Sequence, residues 1–353
     1  MGTEANAEGE DAIAIGRLAE ADEEGAVALG SDALSSGVRS VAVGFDAVSA
    51  GASSVAIGDD AGAGGQRALA IGGNIGSGPE GANALGDGSS AVGANALAEG
   101  NNSSAFGNLA QARGEGSVAI GSFRDTGLLG STDEGARADE DWAVAVGANS
   151  LAGGEFSVAV GTDAAASSDL GIAVGASAVA SSQRATAIGA SASAEGTETS
   201  AFGVSSRAEG SNATAVGAGA TALSVEATAF GSSSSATAAN SLALGSGANA
   251  SEAAAIAIGN LAFSDQANTV ALGDNANANA VGAVALGSNS IADQANTVSV
   301  GSSGSERRIV NVADGTNDTE ADTVGQLNTA ITNVSEAGSA IQEERKSVED
   351  RKT

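Results

Sequence analysis

Forty-three carboxylates, fourteen basic side chains and no histidine or cysteine bound the chemistry open to this 353-residue chain. Without His or Cys, neither a Ser-His-Asp triad nor a cysteine nucleophile can be assembled. A glycosidase-type pair of carboxylic acids is formally available, but no pair is set apart by its spacing, and the chain is expected not to be an enzyme. Calcium-binding β-rolls need Gly-Gly-x-Gly-x-Asp in tandem. Here Asp follows a recurring glycine only sporadically, at Asp32, Asp46, Asp59, Asp163 and Asp274. The 52 glycines include no Gly-Lys-Ser/Thr phosphate loop. The expectation is therefore no cofactor and no defined metal site, only non-specific cation condensation on an acidic surface. Asn-x-Ser/Thr acceptors occur at Asn101, Asn102, Asn212, Asn249, Asn317 and Asn333. Thr186, Thr214 and Thr228 recur too locally for the regular threonine ladder of an ice-binding face.

The net charge is −29, and only Lys346 and Lys352 are lysines. Acid excess with lysine depletion keeps a surface hydrated at high salt, so a halophilic source, cellular or viral, is expected. Nucleic acid and anionic membranes, which need clustered Lys/Arg, are disfavoured as partners. No apolar run reaches the roughly 18 residues of a membrane-spanning helix, so no direct membrane insertion is expected. Met1-Gly-Thr-Glu-Ala-Asn-Ala-Glu has neither a basic nor an apolar signal region. That predicts a mature fragment or an unconventional route to the outside.

The elements that would carry any function are set by a repeat. The phrase Ser117-Val-Ala-Ile-Gly121 recurs as AVALG, SVAVG, ALAIG and AIAIG. Its final glycine falls at 16, 30, 44, 58, 72 and 86, then at 107 and 121, and every fourteen residues from Gly147 to Gly301. Gly93 comes seven residues after Gly86, and 26 residues separate Gly121 from Gly147. Counted from each anchor, position −1 is large and apolar, −2 is Ala except for Ser299, and −3 is commonly Val, Ile or Leu. This alternation predicts a short β-strand. A weaker strand with small residues at +3 and +5 follows, and glycine at +7 suits a second turn.

Two strands and two turns in fourteen residues make one coil of a parallel β-solenoid, about twenty coils long. At roughly 4.8 Å per coil the stack is on the order of 95 Å. The bulky −1 and −3 side chains are expected to fill a thin core against +3 and +5. The Ala row at −2 is expected to face a neighbouring chain in an oligomer.

The breaks in the count are expected to be loops: an irregular coil at 73–93 with Pro79, and an insertion at 122–140. Loops on a rigid scaffold are where binding specificity usually sits. Phe123, Arg124, Leu128, Leu129, Arg137 and Trp142 are unusual side chains for this chain and form the candidate receptor-binding loop, as against a merely tolerated insertion. After Ser305 the repeat stops. A heptad seam then runs through Val324, Leu327, Ile331, Val334, Ile341 and Val348, flawed by Gly338 and Arg345. The predicted domains are a head at 1–306, a neck at 307–328 and a coiled-coil stalk segment at 329–353.

The tandem SVAIG-type 14-mers, followed by Arg307-Arg-Ile-Val-Asn-Val-Ala-Asp-Gly-Thr and Asp322-Thr-Val-Gly-Gln-Leu327, closely resemble the head and neck of trimeric autotransporter adhesins of the YadA-like group. The resemblance spans about residues 11 to 330. It implies three left-handed parallel β-rolls around one axis. It also implies a neck carried by Arg308, Ile309, Asn311, Val312, Gly315, Gln326 and Leu327. The implied function is extracellular attachment to a cell-surface or matrix receptor, protein or glycan. The chain departs from the family in ending at Thr353 without the membrane barrel. The alternatives are therefore a virion-surface spike, turret or tail-fibre head, or a passive structural spacer.

Overall fold

The computed structural model describes residues 2–74, 81–122 and 135–351. The chain divides into two units, Met1–Ser302 and Ser303–Thr353.

The first unit is a parallel β-solenoid of twenty coils. Each coil has one longer strand, of three residues as in Val27–Leu29 except for Val298–Ser299 in the last, and one two-residue strand, such as Leu34–Ser35. The long strands form one ladder and the short strands another, each strand pairing in register with its equivalent one coil away. The turns are laddered too. Arg39 N donates to Glu24 O at 2.8 Å, and Asp46 N to Ser31 O at 3.1 Å. Turn amides that would otherwise need water are thereby partnered inside the stack.

The anchor glycine is required twice over. Gly189 has φ +138°, and a Cβ there would meet Gly203 O at 2.4 Å. Anchors from Gly16 to Gly273 face the next anchor carbonyl in the same way. Only a residue without a side chain lets the backbones stack at this corner.

The core reverses the expected assignment of faces. The −2 alanines, from Ala28 to Ala285, are completely buried, as are the +3 and +5 residues such as Ala192 and Ala194. The residue four before each anchor completes the interior, as with Ala185 or Ser40. Among the described residues, the largest fully buried side chains are Thr199 and Thr269. The bulky −1 and −3 residues point outward instead: Ile57, Phe106, Ile188, Phe230 and Leu286 are all exposed. The reason is the length of the coil. Turns this short hold the two strands so close that only Ala, Ser, Thr or Gly fits between them, so the apolar bulk must take the other face of the pleat. Where hydroxyls replace Ala, most pair with each other or with turn carbonyls, whereas Ser89, Ser103 and Ser117 Oγ are buried with no hydrogen-bond partner among the described residues. Ser35 and Ser40 oxygens lie 2.6 Å apart, and Ser54 Oγ donates to Gly51 O at 2.6 Å.

The irregular coils are also re-read by the pairing. Leu69–Ile71 pairs with Ser90–Val92, so the anchor after Gly72 is Gly93. Gly86 occupies the second-turn position, like Gly51 and Gly65, and seven extra residues enter between Gly72 and Ala82. Val118–Ile120 pairs with Val144–Val146, which places twelve extra residues between Gly121 and Ala136. Both insertions therefore leave the solenoid at the same corner, the turn just after the anchor.

The second unit carries an extended neck and one helix, Val324–Asp350. The helix starts inside the segment expected to be neck. It has no buried residue, and Val324, Leu327, Ile331, Val334, Ile341 and Val348 are all exposed. Among the described residues no helix is long and apolar enough to cross a membrane.

Candidate functional surface

Three outer surfaces of the solenoid differ in what they can hold. The long-strand face is an apolar sheet: Val144, Val146, Val158, Val160, Ile172 and Val174 lie in register on three successive coils. The short strand offers one outward residue per coil, and these are mixed: Gln111, Arg137, Leu151, Ala165 and Val179 follow one another. The two turn ridges carry polar side chains for most of their length.

Of the predicted receptor loop only Arg137 and Trp142 fall among the described residues, one on a short strand and the other at a turn. Phe123, Arg124, Leu128 and Leu129 lie outside the described residues, as does Pro79. Arg137 is on a short strand, where its Nε donates to Asp139 Oδ2 at 2.8 Å. Asp139 Oδ1 also accepts from Arg113 Nη1 at 2.7 Å, and Arg113 lies 3.6 Å from Glu99. These four residues clip adjacent coils together. Half-exposed pairs of this kind contribute about 1 kcal/mol or less each.

Trp142 sits at the opposite turn, five residues before its anchor, with φ +58°. It is 52% exposed, and its ring lies over Gly116 of the preceding coil, where a Cβ would come within 2.6 Å of it. Phe156 and Leu170 occupy the same turn position in the next two coils, with φ +55° and +58°. They are 50% and 47% exposed. The left-handed region costs a bulky residue about 1 kcal/mol. Elsewhere this position holds residues such as Asn102, Arg184, Asn212 and Asn240. Phe156 and Leu170 were not singled out from the sequence, although counting fourteen forward from Trp142 reaches both.

Carboxylates flank this ridge. Asp141 Oδ1 accepts from Glu115 N at 2.7 Å, and Asp169 Oδ1 from Glu155 N at 3.1 Å. On the anchor-side ridge, Asp32, Asp46 and Asp60 stack on consecutive coils. Partial burial, then the charges of Asp32, Asp60 and Asp59, push the Asp46 carboxyl above its ordinary value. Arg17 Nη2 donates to Asp32 Oδ2 at 2.5 Å and offsets part of that repulsion. No group of carboxylates among the described residues is arranged to hold a metal ion.

In the neck, Gln326 is the organising side chain. Its Nε2 donates to Gly315 O at 2.8 Å, and its Oε1 accepts from Gly315 N at 2.9 Å and Thr323 N at 3.0 Å. Thr323 Oγ1 accepts from Gln326 N at 3.2 Å, closing a capping box, and donates to Asp314 Oδ1 at 2.6 Å. The structure thus joins two predicted neck residues, Gly315 and Gln326. Ile309 and Val312 are exposed. Glu320 accepts from Thr316 N at 2.6 Å and Asn317 Nδ2 at 2.7 Å. Those bonds, the Thr316 backbone first, hold its carboxyl at about 2.

Fourteen-residue coils with a stacked anchor glycine, a capped neck and a bare heptad seam define a repeat-built fibrous protein. Comparison with known proteins agrees. The model for the YadA head domain repeat matches residues 1–74, 80–96, 98–123, 143–164, 166–192, 194–220 and 222–303. The model for the coiled stalk of trimeric autotransporter adhesin matches 308–350. The chain belongs to this family of adhesin heads and stalks. Among solved structures, the collagen-binding domain of Yersinia adhesin YadA is similar at 26% identity, with a TM-score of 0.21. That match covers 62% of this chain and 84% of the other. No curated protein matches the chain.

Proposed function

We propose that this chain is the head and upper stalk of a homotrimeric adhesin. In this reading three left-handed solenoids pack around one axis through their long-strand faces, and the three helices form a coiled coil. The observation that carries it is the apolar long-strand face, whose −1 side chains, from Ile57 to Leu286, are exposed or half-buried in a single chain. Burying a Val, Leu or Ile contributes roughly 1.5–3 kcal/mol, so a face built from such residues favours association strongly. The exposed seam from Val324 to Val348 asks for the same kind of partner.

Attachment is then multivalent, with weak contacts on three chains summing through effective concentration. The partner is a cell-surface or matrix receptor. Collagen is the first to test, because the similar Yersinia domain is named for binding it. The insertion at 123–134 is the foremost candidate contact. Excising those twelve residues leaves Ser122 and Gly135 between Gly121 and Ala136, which restores the regular turn. The shortened protein should keep its thermal midpoint and lose most adhesion to cells or to collagen-coated surfaces. Undiminished adhesion would remove the insertion from the account. If the intact protein adheres to no cell and no matrix surface, the adhesin reading itself fails.

A further inference from the structure

We propose that the ridge formed by Trp142, Phe156 and Leu170 is a binding track for an extended, arginine- or lysine-bearing polypeptide segment. The inference rests on the adhesin reading and adds a site and a partner chemistry to it. Three large apolar side chains occupy the same turn on successive coils, about 4.8 Å apart by the strand spacing, and about half of each is exposed. All three have positive φ, between +55° and +58°. That backbone favours Asn, Asp or Gly, so the turn itself does not call for them. They do not fill the core either, since the interior at these coils is Ala, Ser and Gly.

Charge selects the partner. Glu115, Glu140, Asp141, Glu155 and Asp169 lie on the same turn of these coils, beside the apolar ridge. Among the described residues the nearby cations are engaged: Arg113 by Asp139 and Glu99, and Arg184 by Glu198 at 2.6 Å. An exposed indole and phenyl next to carboxylates suit a guanidinium or ammonium, which is drawn to the ring face and to the carboxylate together. The same carboxylates repel an anionic glycan. The track runs along the stack, so an extended chain can engage several coils where a compact cation meets one.

The test uses the fact that Trp142 is the only tryptophan in the chain. Its emission therefore reports this ridge and ignores peptide condensed elsewhere on the acidic surface. The full chain is titrated in molar salt with a twelve-residue peptide alternating arginine and serine, then with its glutamate-serine counterpart and with a neutral oligosaccharide. The arginine peptide should shift or quench the emission saturably, and the other two should leave it unchanged. Phe156→Ala and Leu170→Ala together should weaken the response about tenfold without changing the far-UV spectrum. Glu115→Gln with Glu155→Gln should weaken it several-fold.

An emission that no arginine peptide moves overturns the proposal, as does an equal response to the oligosaccharide. So does an emission already typical of buried indole in the free protein, which would place another copy of the chain on the ridge. Each of these outcomes leaves cell or matrix attachment to be scored separately, so the ridge can fail while the adhesin reading stands.

Discussion

The long-strand and short-strand faces of the solenoid share one backbone plan and one alanine interior, yet their outer surfaces diverge. The long strand shows two apolar side chains in most coils, and its −1 position is apolar throughout. The short strand shows one residue per coil, which ranges from Glu20 and Arg137 to Thr221 and Phe263. Folding of one coil constrains neither outer row, because the coil is held by its inward Ala positions, its anchor glycine and its laddered amides. A regular outer row therefore reflects a demand from outside the coil. The long-strand row is regular and the short-strand row is not.

Substitutions can separate these roles. The largest effect is expected inside. Ala187→Leu would force a side chain larger than threonine between the two strands, and should cost about 3 kcal/mol or more of stability. Urea unfolding would show it as a lowered midpoint. On the long-strand face, Val160→Asp lies between Val146 and Val174. It should weaken association at least tenfold in sedimentation while the far-UV spectrum stays that of the folded coil. Thr221→Glu, on the short-strand face between Arg207 and Ser235, is the control. It should change neither stability nor mass. If the two variants behave alike, the distinction between the faces is wrong.

A smaller effect is expected in the neck. Glu320 is held at about 2 against an ordinary value of 4.5. A depressed carboxyl stabilises the folded loop fully above its unfolded value and progressively less as pH falls towards the folded one. Hydrogen exchange at Thr316 and Asn317 should therefore speed up between about pH 4.5 and 2, beyond the intrinsic pH dependence of exchange, and Glu320→Gln should abolish that excess. On the head, Asp46 has the opposite sign. Its raised carboxyl favours the folded state at low pH, an advantage lost as pH rises through the folded value.

Much of this molecule is legible in its sequence because the repeat is short and its rules are steric. The recurring glycine marks a corner that admits no Cβ, and alternation at −3, −2 and −1 marks a strand. What the pattern leaves open is which face is inside. Val-Ala-Val reads equally well with either face inward, and the choice depends on how far apart the two strands sit, a property of the closed coil. The same limit explains Gly86 and Gly93: both are glycines at turns, and only strand pairing shows which turn is which. Trp142 stands out by type and the fourteen-residue count reaches Phe156 and Leu170, but their exposure on one turn becomes plain only in the stacked coils, which also separate the ridge from the insertion at the opposite corner. Gln326 is expected from the sequence only as a neck residue; its place three residues after Thr323 is the capping-box signal that could have located the helix start.

The central claim is that the bulky row of the long strand is an interface between copies of the chain. Light scattering of the intact protein in molar salt tests it most directly. The expected result is a particle of three times the 33.2 kDa chain mass. A stable, folded monomer at micromolar concentration would contradict it.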